Sequence, residues 1–260
     1  MKDFILLPYA DLDAYQRFAY REMMVWCNKM DKSPGLWNSI SSGIQKKINN
    51  IIPDKVHKAI TSAVREIIKA LMLGTKFISP APRQLAHLKH IEDEVGRRIQ
   101  SHKLTASAEG GLTGAGGFWW SLADFPLLLG IKIKLLQDIA SFYGRDGKDP
   151  REKVFLLLVL QMAFSSDAVR RTTLEKIIHF EKQKHNIPQD ISNIDWHTLQ
   201  QQYRDYLDIA KLLQMVPLIG AVVGTIANYR LVNLLGRTAM QCYRIRYFQD
   251  YGYHHQGEST

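Results

Sequence analysis

Side chains able to do chemistry gather in three places along the sequence. The first is 87-HLKHIEDE-94, where His87, His90 and Glu94, or His90 with Asp93 or Glu94, recur at steps of three and four and so share one face of a helix. Imidazoles and a carboxylate at that spacing suit a divalent cation. The same pattern describes a solvated helix carrying charges of both signs one turn apart. We assign it to the surface and expect no metal ligand there.

The second place is 109-EGGLTGAGGFWWSLADFPLLLGI-131, in which Glu109 and Asp124 are carboxylates within an apolar, glycine-rich stretch. An unpaired carboxylate buried beside Trp119, Trp120 and Phe125 would cost several kcal/mol, so Asp124 must be paired, protonated or hydrated. Its candidate partners are Asn228, an arginine or a backbone donor. A hydrogen-bonding role in a polar interior is expected, and a carboxylate lining a lipid or ligand cavity is the alternative. The run GGLTGAGG superficially suits phosphate cradling if Glu109–Gly117 is a loop. It lacks the Lys-Ser/Thr ending of a P-loop and any preceding strand, so nucleotide binding is not expected.

The third place is the pair Cys27 and Cys242, which have neither metal-ligand spacing nor the context of a nucleophile, and a disulfide framework is not expected. No zincin, hydrolase-elbow or kinase signature occurs. We assign no catalytic residue and no cofactor, although an unrecognised helical enzyme stays open as a third function class.

Hydrophobic periodicity is helical nearly everywhere, so the elements that must position these residues make an all-α chain. Expected helices are Asp11–Met30, with Leu12, Tyr15, Phe18, Ala19, Met23 and Trp26 on its apolar face; Trp37–Ile51; and Lys55–Phe77, capped by Asp54. Arg83–Lys103, Ile131–Phe142 ending at Tyr143-Gly144, Arg151–Phe164, Asp167 to Lys184, Asp195–Met215 and Pro217–Phe248 follow. The apolar run VFLLLVLQMAF is well short of the ~20 residues a membrane-spanning helix needs, so it is expected inside the protein.

Glycines at helical spacing call for close packing, because each costs roughly 1 kcal/mol relative to alanine inside a helix. Gly110, Gly114, Gly117, Ser121 and Asp124 form one narrow stripe, and Gly220, Gly224 and Ala227 form a second beside Asn228. The two faces are expected to meet in a hairpin-like core, giving a single multi-helix bundle over 1–260 with 251–260 a disordered tail.

With 46% hydrophobic and 23% charged residues, a sizeable core can form. The net charge of +9 is concentrated toward the N-terminus, where residues 1–100 hold 16 Lys/Arg against 10 Asp/Glu. That excess suits anionic lipid, an acidic protein partner or nucleic acid. Nucleic acid is the least expected, since no recognition pattern is present. Lys58, Arg65 and Lys69 decorate an amphipathic helix that can lie on an anionic membrane, and Trp119 and Trp120 suit its interface. The N-terminal MKDFILLPYADLD lacks the pattern of an export signal, so a cytoplasmic setting is expected, peripheral at the inner face of the membrane.

The segments IQKKINNIIPDKVHKAI, AEGGLTGAGGFWWSLADFPLLLGIKIKLLQDIASFYGRD and VPLIGAVVGTIANYRLVNLLGRTAMQCYRIRYF together resemble the EcsC protein family. Glu109-Gly110, the Gly114–Gly117 cluster, Asp124 with Pro126, Tyr143-Gly144 and the Gly220 to Asn228 segment carry the resemblance, whereas Trp119-Trp120 departs from it. That family is named for a bacterial protein encoded beside the components of an ABC transporter. The resemblance implies a bacterial intracellular setting and permits a transport connection, but it transfers no catalytic residue. Two functions follow as expectations: a non-enzymatic membrane-associated or lipid-binding helical protein serving a transporter, and a soluble module for protein partners.

Overall fold

The computed structural model describes residues 11–31, 80–83, 87–113, 125–165, 167–187 and 221–257, with side chains over 11–31, 80–83, 87–105, 133–165, 169–187 and 229–251. The described residues form helices α1 Ala14–Asp31, α2 Leu88–Thr113, α3 Phe125–Phe142, α4 Pro150–Phe164, α5 Asp167–Ile178, α6 Phe180–Gln183 and α7 Ala221–Gly257. A 3-10 turn at Lys184–Asn186 follows α6, and no strand occurs among these residues.

Local chemistry sets several boundaries. At the start of α1 the Asp13 carboxylate accepts from Gln16 N–H at 2.8 Å while the Gln16 amide oxygen accepts from Asp13 N–H at 2.8 Å, a reciprocal capping box. Asp149 caps α4 by accepting from Arg151 N–H at 2.9 Å, with Pro150 at the first helical position where its missing N–H costs nothing. The end of α3 falls where Tyr143-Gly144 predicts it. Gly144 has φ of 73°, Gly144 N–H donates to Ser141 O and Arg145 N–H to Ala140 O, which is a Schellman stop.

Other boundaries differ from the sequence reading. Arg83, expected to open α2, instead donates its N–H to Ser141 O at 2.8 Å and lays its guanidinium 4.6 Å from the Phe142 ring, so the helix waits until Leu88. The expected Asp167 to Lys184 helix breaks near His179, where the Gln249 amide donates to Ile178 O at 2.7 Å and engages a carbonyl at the break. Phe18 is not part of the core face. It is 46% exposed, because the buried side of α1 runs through Gln16, Ala19, Met23 and Cys27. α2 continues through Glu109 to Thr113, so that part of the suggested Glu109–Gly117 loop is helix, and α7 runs on past Phe248 to Gly257.

At the centre lies α4, with every residue from Phe155 to Phe164 buried, as the short apolar run predicts. Around it α5 and α7 pack on α4, α3 packs on α2, and α1 packs on α5 and α7. The most extensive contact is between α2 and α7. Their backbones approach closely at Gly236, where a Cβ would stand 2.6 Å from Ile99 Cγ1, so only glycine fits against an unmoved Ile99. Close glycine packing is therefore present, at a position the sequence reading did not single out. Among the described residues no helix is long and apolar enough to cross a membrane.

Candidate functional site

Among the described residues, an extended network of buried charges is built on 243-YRIR-246 of α7. Arg244 and Arg246 are two residues apart, which on a helix turns them about 200° from each other, so the two guanidinium groups serve opposite sides. Arg244 meets Glu92 of α2 bidentately, its Nε donating to Oε1 at 2.7 Å and its Nη2 to Oε2 at 2.5 Å. The hydroxyls of Tyr15 and Tyr143 donate to the same carboxylate at 2.7 and 3.1 Å. Glu92 thus accepts four hydrogen bonds in the interior, and the cost of burying its charge is offset by donors on three other helices or turns.

Arg246 faces the other way. Its Nη1 donates to both oxygens of Glu152 at 2.9 and 2.7 Å, and its Nε donates to Glu181 Oε1 at 2.5 Å. Tyr243 O–H donates to Glu152 at 2.5 Å, and Lys184 donates to Glu181 at 2.5 Å. Phe155 lies face-on to the guanidinium at 4.3 Å, a cation–π contact strengthened by the dry surroundings. Arg145 bonds Asp250 and lies 3.8 Å from Glu181. Tyr143 stacks on Tyr243 at 5.2 Å and joins the two halves into one clamp.

Electrostatics follow from this geometry. Burial lowers the Arg244 pKa, but its hydrogen bonds and charge contact with Glu92 outweigh that and leave it raised. Burial pushes the Tyr143 and Tyr243 hydroxyls well up, and the neighbouring Glu92 and Glu152 charges add to it, so both remain donors. Burial raises the Glu181 carboxyl, yet Arg246, Lys184 and Arg145 together bring it below the usual range.

A third cluster centres on Asp138 of α3, which accepts from Lys134 at 2.8 Å and lies 3.3 Å from His102 Nε2 and 3.4 Å from Arg98 Nε. Burial raises its pKa, while the bonds from His102 and Lys134 and the charges of Lys134 and Arg98 outweigh that and lower it. Lys103 donates to Asn233 at 3.1 Å and sits 4.2 Å from the Tyr229 ring centroid.

These contacts set the direction of the helices. Glu92 pairs with Arg244, Ile99 with Gly236 and Lys103 with Asn233, so α7 runs antiparallel to α2. Glu92 with Tyr143 and His102 with Asp138 make α3 antiparallel to α2 as well. The last turns of α2 (ASAEGGLT) and the first turns of α3 (FPLLLGI) and α7 (AVVGTIA) therefore lie at one end, away from the clamp. Glu109 is the only charged residue in those three stretches. Each stretch extends roughly 15 Å beyond the Lys103–Asn233 level at 1.5 Å per residue.

Of the residues singled out from sequence, Glu109 and Gly110 belong to α2, and Gly224 and Asn228 to α7, with no side-chain detail. Lys58, Arg65, Lys69, Gly114, Gly117, Trp119, Trp120, Asp124 and Gly220 lie outside the described residues. In 87-HLKHIEDE-94, His87 and His90 are exposed, Asp93 pairs with Lys89 and Glu94 with Arg97, whereas Glu92 of the same stretch is buried. Among the described residues no group of three His, Cys, Asp or Glu is arranged to hold a metal ion.

The clamp itself was missed. Glu92 was legible as a charge on the apolar stripe of Leu88, Ile91, Val95 and Ile99, where a carboxylate needs a partner. Glu152 resembles an ordinary first-turn acid, and the alternation of YRIRYF hides that both arginines point inward.

Comparison with known proteins places these observations in a lineage. A family model described as the EcsC protein family matches residues 17–248. Protein EcsC of Bacillus subtilis (strain 168) is 39% identical over 231 residues, covering 88% of this chain and 95% of the relative. Uncharacterized protein YdbA of the same strain is 29% identical over 214 residues, 78% of each chain. No solved structure matches.

Proposed function

Because the chain belongs to the EcsC protein family, we propose that it is a non-enzymatic protein of the membrane surface that binds lipid and serves a transporter. One observation carries this reading: three helix ends nearly free of charge gather at one end of the helix group, while the Arg244 and Arg246 ion pairs lie toward the other. Lengths support shallow insertion over spanning. A reach of roughly 15 Å is half of the ~30 Å hydrocarbon core, and no described helix is long and apolar enough to cross. Trp119 and Trp120, in the segment that joins α2 to α3, then meet the interface, and Lys58, Arg65 and Lys69 supply electrostatic approach.

The clamp's task in this reading is to hold α1, α2, α4 and α7 together while the apolar ends trade partners between protein and lipid. The transporter link is supported by the family resemblance. Co-sedimentation with liposomes, with and without anionic lipid, tests the proposal. Sedimentation with anionic vesicles is expected, and absence of binding to either kind would overturn it.

A second reading, a module for protein partners, is favoured by Phe18 and Val25, which are 46% and 66% exposed and seven residues apart on α1. A pull-down from native cells that fails when both are changed to serine, with vesicle binding absent, would favour it.

A further inference from the structure

On the outer side of the α2/α7 seam, next to the apolar ends, lies a patch whose composition is that of a lipid interface. Three of the five large hydrophobics exposed among the described residues occur near this level of the two helices, Leu104 of α2 at 62%, Tyr229 of α7 at 38% and Leu234 of α7 at 37%. Arg230 and Arg237 flank Leu234 on α7 at steps of four and three, so the three share one face. Both arginines are exposed and have no acidic partner among the described residues. Lys103 lies under the Tyr229 ring in the seam between the helices.

We infer that the Arg230–Leu234–Arg237 face of α7 is the docking surface for an anionic bilayer, the arginines meeting lipid phosphates and Leu234 entering between headgroups. The inference rests on the membrane reading above and names the surface and the lipid class. Charge complementarity selects the occupant. At this level the acid on the neighbouring α3, Asp138, is already matched by Lys134, His102 and Arg98, so no described acid is left for the arginines and an external anion suits them. Geometry agrees, since long basic side chains just below helix ends whose one charge is Glu109 stand where the phosphate layer lies when those ends enter one leaflet. A phosphate is also matched by the forked guanidinium better than by a point charge.

The test compares the full chain with Arg230→Gln/Arg237→Gln in sedimentation with phosphatidylcholine vesicles and with vesicles containing phosphatidylglycerol. Each basic residue near such a surface contributes about 1 kcal/mol, so the double variant should bind the anionic vesicles roughly 30-fold more weakly, with a shallower salt dependence. Circular dichroism identifies any unfolded variant. A second measurement places a polarity-sensitive dye at Leu234→Cys, with Phe18→Cys as the control. Both native cysteines are buried, so the introduced thiol is the one that reacts. The dye at 234 should shift to the blue on anionic vesicles and the dye at 18 should not. If the wild-type chain binds no vesicle, the membrane reading itself fails. If it binds, but the double variant binds equally well and the dye at 234 stays in water, this surface assignment is overturned and the membrane reading stands.

Discussion

Replacing Arg244 by methionine removes its two hydrogen bonds to Glu92 at once, and a longer one to Gln241, and leaves the Glu92 carboxylate buried with only Tyr15 and Tyr143 as donors. Both partners of this pair are almost fully buried, at 4% and 2% side-chain exposure, so solvent cannot take over the lost role. Breaking such a pair from one side costs about 3–5 kcal/mol, a large share of the ~5–15 kcal/mol that holds a typical domain together. Glu92→Leu should cost a similar amount by leaving the guanidinium unpaired. Changing both removes both charges, and the remaining penalty is then set by the two phenols, of which half-buried Tyr15 can turn toward water. The double variant should therefore be no less stable than either single one, with a coupling energy of about 3 kcal/mol or more. Urea denaturation followed by far-ultraviolet circular dichroism measures all three. Additive losses, or single-variant losses below about 1 kcal/mol, would refute the claim that this pair is a desolvated clamp.

Gly236→Ala should lower stability by about 1–3 kcal/mol through overpacking on Ile99, despite alanine's better helix propensity, and the loss should shrink in an Ile99→Ala background. The Asp138 carboxyl sits below its ordinary range when folded, so its stabilisation is complete above about pH 4 and is lost as pH falls through the folded value. Melting temperature measured against pH should fall less steeply below about pH 4 in Asp138→Asn than in the wild type. Burial pushes the Cys27 thiol up to about 12, with Asp31 adding to it, and burial also pushes the Cys242 thiol well up. Neither should react with a thiol-specific dye at about pH 8 until the protein is denatured, when both should.

Features of the fold that depend on neighbours in sequence were legible beforehand. Tyr143-Gly144 stops a helix through bonds that close within a few residues, and the apolar run of α4 could not avoid burial once it was too short to span a bilayer. The clamp was not legible in this way because its partners are brought together only by folding: 152 residues separate Glu92 from Arg244, and 94 separate Glu152 from Arg246. Histidines and glycines stand out in the sequence by type and spacing. The buried charges instead sit on otherwise apolar helix faces, where a single Glu or Arg reads as an imperfection in the pattern. The same limit explains Phe18, whose helical spacing fits the apolar stripe of α1 although the buried face is centred one residue away.

The most direct test of membrane insertion places a fluorescent label at Leu128→Cys, in the charge-free start of α3, and measures its quenching by lipids brominated at different depths. Insertion of the helix ends into one leaflet predicts strongest quenching between the headgroups and the bilayer centre in anionic vesicles. A label that stays unquenched at every depth while the protein is bound would contradict it.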